Sequence, residues 1–289
     1  MRLSVHHITR FEFDQLSGHS IHDVRLTPKP ATGQRVLSWR IDGPGKRSDW
    51  IDGHGNQVTT FSVAAQHDAV EIAVAGIYEF GGADQWLRYY AERLPAVEIN
   101  YTFYRMPNAK TIGQWLETTP DGFTFVLKVS QRITHHARLK EVEQPLKYFT
   151  DTAAQLGPKL GPLLFQLPPN FKKDIDRLGE VLRLVPDTIR TAWEFRHESW
   201  FSDDVYHVLR SRNAALCVAD NEEGHTPASA TANFGYFRLR DEGYTSEDLA
   251  RWAGKVKEIG AGWGEAFVFF KHEEAGQGPA LAQEFAKLF

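Results

Sequence analysis

Residues 193–200, WEFRHESW, bring a carboxylate, a guanidinium and an imidazole together at Glu194, Arg196 and His197. In that spacing they suit a general acid or base beside an anion clamp. A planar guanidinium grips carboxylate or phosphate oxygens while its neighbour moves a proton. The competing reading is an internal ion-pair network without chemistry. A second burst follows residues 96–99, where Glu98 and Asn100 alternate with Val97 and Ile99, and Arg105 lies a little beyond. Lys128 falls at the end of the apolar run 123–129, with His135 and His136 after it. Lys128 suits an anion ligand, an ion-pair partner or, if desolvated, a Schiff-base nucleophile. Gln166 ends 161–166, Asp220 follows 214–219, Arg238 and Arg240 lie at the end of 234–239, and Lys271 and His272 follow 265–270. Glu194, His197, Glu98 and Asp220 are therefore the candidate catalytic groups. Asn100, Arg105, Lys128, His136, Gln166, Arg196 and Arg238 are the candidate substrate contacts.

Each cluster ends a short apolar run, and the runs recur along most of the chain. Seven strand-like segments, 96–99, 123–129, 161–166, 191–195, 214–219, 234–239 and 265–270, alternate with helical ones at 83–94, 111–117, 141–156, 173–184, 203–212, 246–259 and 279–289. Such alternation predicts right-handed βαβ units around a parallel sheet. Side chains that share a face at the C-terminal strand ends then converge on one mouth. A closed (β/α)8 barrel needs an eighth strand, and 69–78 is the candidate. The first 80 or so residues read differently. Segments 2–13, 20–26, 35–41, 58–63 and 69–78 are β-rich and separated by turns at 27–33, 42–46 and 52–56, which predicts a small all-β domain.

Composition narrows the partners. A net charge of −4 over 289 residues argues against a nucleic-acid coat held by general electrostatics, while leaving room for a local basic pocket. Cys217 is the single cysteine, so no disulfide forms within one chain, and its apolar surroundings suggest a buried, reduced thiol. No apolar run approaches the roughly 20 residues of a membrane span and no signal core is evident, so the expectation is a cytoplasmic protein without membrane contact. No glycine-rich phosphate fingerprint points to a nucleotide cofactor. Glu98, Glu194, Asp220, His136 and His197 supply the donor types of a divalent-metal site, but no HxH or HExxH spacing accompanies them.

Seven segments in order, VEINYTFYRMP at 97–107, WLETTP at 115–120, FTFVLKVSQRITHH at 123–136, LGPLLFQLPP at 160–169, EFRHESW at 194–200, TANFGYFRL at 231–239 and YTSEDLARWA at 244–253, resemble the YecE-like domain-of-unknown-function family. That resemblance implies a TIM barrel over about residues 80–289 and leaves the chemistry open. The N-terminal motifs HDVRLTPK at 22–29, GQR at 33–35 and DWIDGHGNQVTTF at 49–61, with His67, resemble the β-domain that precedes bacterial transglutaminase-like folds. The Cys-His-Asp domain expected after it is replaced by the barrel match. The chain departs from the YecE-like pattern in three places. Ala75-Gly76-Ile77-Tyr78 stands for Gly-Trp-Ser-Tyr, Arg240-Asp241 for His-Gly, and Lys271-His272 for Asn-Asn or Asn-Asp.

Two functions fit these observations. One is an enzyme acting on an anionic substrate, such as a phosphate ester or a nucleic-acid phosphodiester, at the barrel mouth. The other is a non-catalytic module with a decayed barrel site, whose β-domain docks a protein partner. A third reading is a junction near 69–82 that leaves the barrel open or strained.

Overall fold

The computed structural model describes residues 2–29, 34–80, 83–221, 224–271 and 277–289. The chain divides into two compact units, 1–89 and 90–289.

The first unit holds two antiparallel sheets. One has the order β1 (Arg2–Ser17), β6 (His67–Phe80), β3 (Gln34–Asp42); the other has β2 (Ser20–Val24), β5 (Gln57–Val63), β4 (Lys46–Ile51). Ile41, Phe61, Val63, Val70, Ile72 and Val74 meet in one buried cluster. β4 falls outside the sequence reading. All six of its residues are exposed, so no hydrophobic alternation marks it. The turn at 52–56 is tied by Asp52, whose carboxylate accepts from the backbone of His54 and Asn56 and from the Asn56 amide, with Gly55 at φ +73°.

The second unit begins within α1 (Ala83–Ala91) and builds one parallel sheet of seven strands: β7 (Ala96–Ile99), β8 (Thr124–Lys128), β9 (Leu160–Gln166), β10 (Thr191–Glu194), β11 (Ala215–Asn221), β13 (Gly235–Leu239) and β14 (Ala266–Phe270). β12 (Gly224–His225) is a two-residue antiparallel addition to β11. After β7 come the short α2 (Tyr101–Tyr104) and α3 (Ala109–Thr118). Then α4 (Glu143–Ala154), α5 (Ile175–Leu184), α6 (Asp203–Ser211), α7 (Ser246–Ile259) and α8 (Gln277–Ala286) alternate with the strands. Local chemistry fixes their starts. Asn108 and Asp174 accept from the backbone of Thr111 and Arg177, and Thr245 with Asp248 forms a reciprocal capping box.

The eighth strand expected from 69–78 is not in this sheet. β6 runs inside the N-terminal sheet, where β1 takes one of its edges and β3 the other, so its backbone groups are already paired. Among the described residues β7 and β14 are the two ends of a nearly closed barrel. Their Cα atoms come within 8 Å without pairing.

Strand alternation layers the interior. Val126, Leu164, Ala192, Ala215, Cys217, Tyr236 and Phe267 form a buried apolar layer. Two residues onward along the same strands stand Lys128, Gln166, Glu194 and Arg238, so a polar layer lies directly above the apolar one. The opposite faces pack outward. Trp193 stacks on Phe165 at 4.3 Å, and Phe237 joins Leu249, Trp252 and Val256 of α7. Burial raises the Cys217 thiol well above its ordinary range, as befits an unreactive core side chain.

Candidate active site at the barrel mouth

Arg238 is the centre of the polar layer. It is 2% exposed, and its guanidinium donates to Glu194 at 2.5 Å and to Glu98 at 2.7 Å. Glu194 also accepts from Gln166 at 2.7 Å and from Arg196 at 3.2 Å. Glu98 accepts from Tyr236 at 2.6 Å and from Asn100 at 3.3 Å. Burial alone would raise the Glu194 carboxyl, but Arg238 and Arg196 beside it hold it down at about 2. Glu194 is therefore a fixed anion, and the oxygens of both carboxylates are occupied.

The cations outnumber them. Lys128 is 8% exposed, with its ammonium 4.1 Å from the centre of the Phe103 ring. Desolvation and the neighbouring Arg238 lower it to about 8, against the pull of Glu194 and Glu98. Burial and Arg238 likewise lower Arg240. Among the described residues neither Lys128 nor Arg240 makes an ion pair within 4 Å. Arg196, Arg238, Lys128 and Arg240 thus face two carboxylates, a surplus of two positive charges.

After β8 the chain forms a π-helical turn, Arg132–His136, where a loop was expected. The turn presents His135 to the cluster and leaves His136 exposed. His135 packs edge-on against Phe103 at 4.9 Å and pairs with the Thr134 hydroxyl at 2.9 Å. Desolvation, then Lys128 and Arg196, lower it to about 4, so it is a neutral imidazole at pH 7. Arg138, Leu139 and Glu141, directly after the turn, hold left-handed φ of 49°, 65° and 53°. Such strain in residues with side chains concentrates at functional sites.

Glu98, Asn100, Lys128, Gln166, Glu194, Arg196 and Arg238 are thus brought together. The other predicted residues stand elsewhere. His197 caps the short turn Glu198–Trp200, its Nδ1 accepting from the Ser199 backbone at 3.2 Å. Arg105 is exposed and donates to Tyr101 at 3.3 Å. Asp220 is buried at the end of β11 and accepts from the Tyr244 hydroxyl at 2.7 Å. His272 lies outside the described residues. The donors considered for a divalent ion are consequently dispersed, and among the described residues no three His, Cys, Asp or Glu side chains converge. Tyr236 joins the site without having been marked in the sequence, and Arg240 and His135, noted at or after strand ends, join it without standing among the candidate catalytic or substrate contacts. Tyr236 and Arg240 share the inward face of Arg238 at a spacing of two, which is the signal that could have found them.

A nearly closed parallel barrel with a charged mouth, in a chain that also holds an antiparallel two-sheet unit, defines the class. The family model described as a protein of unknown function, DUF72, matches residues 72–289, and the chain belongs to that family. The bacterial transglutaminase-like N-terminal region matches residues 3–79. The UPF0759 protein YecE of Escherichia coli (strain K12) is 30% identical over 145 residues, 48% of this chain and 53% of its own length. The UPF0759 protein YunF of Bacillus subtilis (strain 168) is 33% identical over 193 residues, 61% of this chain and 64% of its own. The chain thus spans about half to two thirds of these relatives. Crystal structures of DUF72 family proteins share the fold. One from Enterococcus faecalis V583 has TM-score 0.61 at 20% identity, over 70% of this chain and 92% of that one. One from Thermotoga maritima MSB8 has TM-score 0.60 at 27% identity, over 71% and 89%. No helix among the described residues is long and apolar enough to cross a membrane.

Proposed function

We propose that the barrel mouth binds an anionic substrate, with a phosphate ester as the class that fits best, a nucleic-acid phosphodiester included. The observation that carries this reading is the surplus of two positive charges around Arg238, with Lys128 and Arg240 unpaired among the described residues. A dianionic group seated there would neutralise cations that the fold otherwise holds against one another. Arg196, one third exposed, offers guanidinium donors beyond its bond to Glu194. Glu98 and Glu194 orient Arg238 rather than move protons. The groups suited to proton transfer are the neutral His135 and Lys128.

A second reading, a non-catalytic binding module, is favoured by one observation: the four carboxylate and histidine side chains first nominated for catalysis are all engaged in fixed hydrogen bonds. Calorimetric titration with inorganic phosphate, paired with an assay of p-nitrophenyl phosphate and bis-p-nitrophenyl phosphate hydrolysis, separates the two. Binding with turnover that fails in His135→Gln supports an enzyme. Binding without turnover supports an anion site without catalysis. No binding of phosphate contradicts the anion reading and favours a module with a decayed barrel site.

A further inference from the structure

Between β7 and β14, where the barrel does not close, a cavity of about 830 Å³ runs beside the sheet. That is ample for a small organic ligand. Its two ends differ in chemistry. Along the strands it is lined by Val97 and Phe269, and the facing wall is Ala282 and Phe285 of α8. At the mouth end it is lined by Asn100, Arg238, Arg240 and Lys271, with Glu98 already bound to Arg238. Lys271 also pairs with Glu242 at 2.6 Å.

The width of the seam decides what fits. Paired strands lie about 4.8 Å apart, so an inserted strand would need about 9.6 Å between β7 and β14. Their Cα atoms approach within 8 Å. The seam is too narrow there for a polypeptide strand, and a slimmer apolar chain is the better match. The cations lie where such a chain would emerge.

We infer that the seam holds the apolar tail of an amphipathic anion whose phosphate or carboxylate head sits at Arg240 and Lys271. This deepens the anion reading of the mouth and rests on it for the head group. The tail site is a separate commitment, because its walls belong to β7, β14 and α8.

Titration of the full chain with dodecyl phosphate below its micelle concentration, with dodecanol and with inorganic phosphate tests this. Each buried methylene strengthens binding about fourfold. Dodecyl phosphate is expected to bind at least about 250-fold more tightly than inorganic phosphate, as four or more buried methylenes require. It should also exceed dodecanol clearly. Ala282→Trp fills the seam and should abolish that advantage while leaving inorganic phosphate unchanged; Ala282→Leu should reduce it and serves if the larger side chain prevents folding. Equal affinity for dodecyl phosphate and inorganic phosphate would overturn the tail site and leave the anion reading intact. Equal affinity for dodecanol and dodecyl phosphate, with no binding of inorganic phosphate, would overturn the anion reading and the head-group half of this inference. An advantage that survives Ala282→Trp and Ala282→Leu would also overturn the tail site.

Discussion

In the N-terminal sheets Arg40 reaches Asp42 at 2.6 Å with its side chain 76% exposed, whereas in the barrel Arg238 sits 3% exposed between Glu98 and Glu194. The contacts are equally short and their physics is opposite. At a surface, water screens the charges and the pair adds little. In the barrel interior each charge has been stripped of water, so every partner becomes obligatory. The mouth is therefore both the place where charge can do chemistry and the place where losing one charge is costly.

The comparison breaks most readily at Arg238. Arg238→Met leaves the buried Glu98 carboxylate without a cation and Glu194 with only the partly exposed Arg196, and should lower the unfolding free energy by about 3–5 kcal/mol in urea titrations. Tyr236→Phe removes one hydrogen bond to Glu98 and should cost about 1.5–3 kcal/mol by the same measurement. Lys128→Met should have the opposite sign and stabilise the fold at pH 7, because the ammonium is buried against its preference. Wild-type stability should rise with pH between about 8 and 10.5. Over that range the folded Lys128 has lost its proton and the unfolded one has not. The variant should lack that rise.

Acid should act the other way. Glu194, held at about 2, contributes stability present above its ordinary 4.5 and lost as pH falls toward 2. His135, lowered from 6.5 to about 4, should add a loss across that higher window, and His135→Gln should remove it in pH-dependent melting. Arg40→Ala, at the other extreme, should leave the unfolding midpoint unchanged within error.

How far the sequence could be read follows from the same contrast. The seven barrel strands stand within a residue or two of where apolar runs and punctuation put them, because burial on both faces writes a strong pattern. Lys128, Gln166 and Arg238 were legible as strand-end residues, and period-two alternation put Glu194 with Arg196 and Glu98 with Asn100. Three features had no such signature. β4 is polar throughout. The π-helical turn that exchanges His136 for His135 depends on tertiary packing around Phe103. The competition for 69–78 was visible as an ambiguity, and the matches at 3–79 and 72–289 overlap at 72–79. Its outcome was not visible, since it turned on which sheet could pair both edges of β6.

Sulfate affinity between pH 6 and 9.5 tests the mouth most directly, because sulfate keeps its charge across that range and the arginines keep theirs. Wild-type binding should weaken as pH rises through about 8, where Lys128 loses its proton, and Lys128→Met should bind weakly and without that dependence. Wild-type affinity that is flat across the range, or a fall of equal size in Lys128→Met, would contradict an anion site built around Lys128 and Arg238.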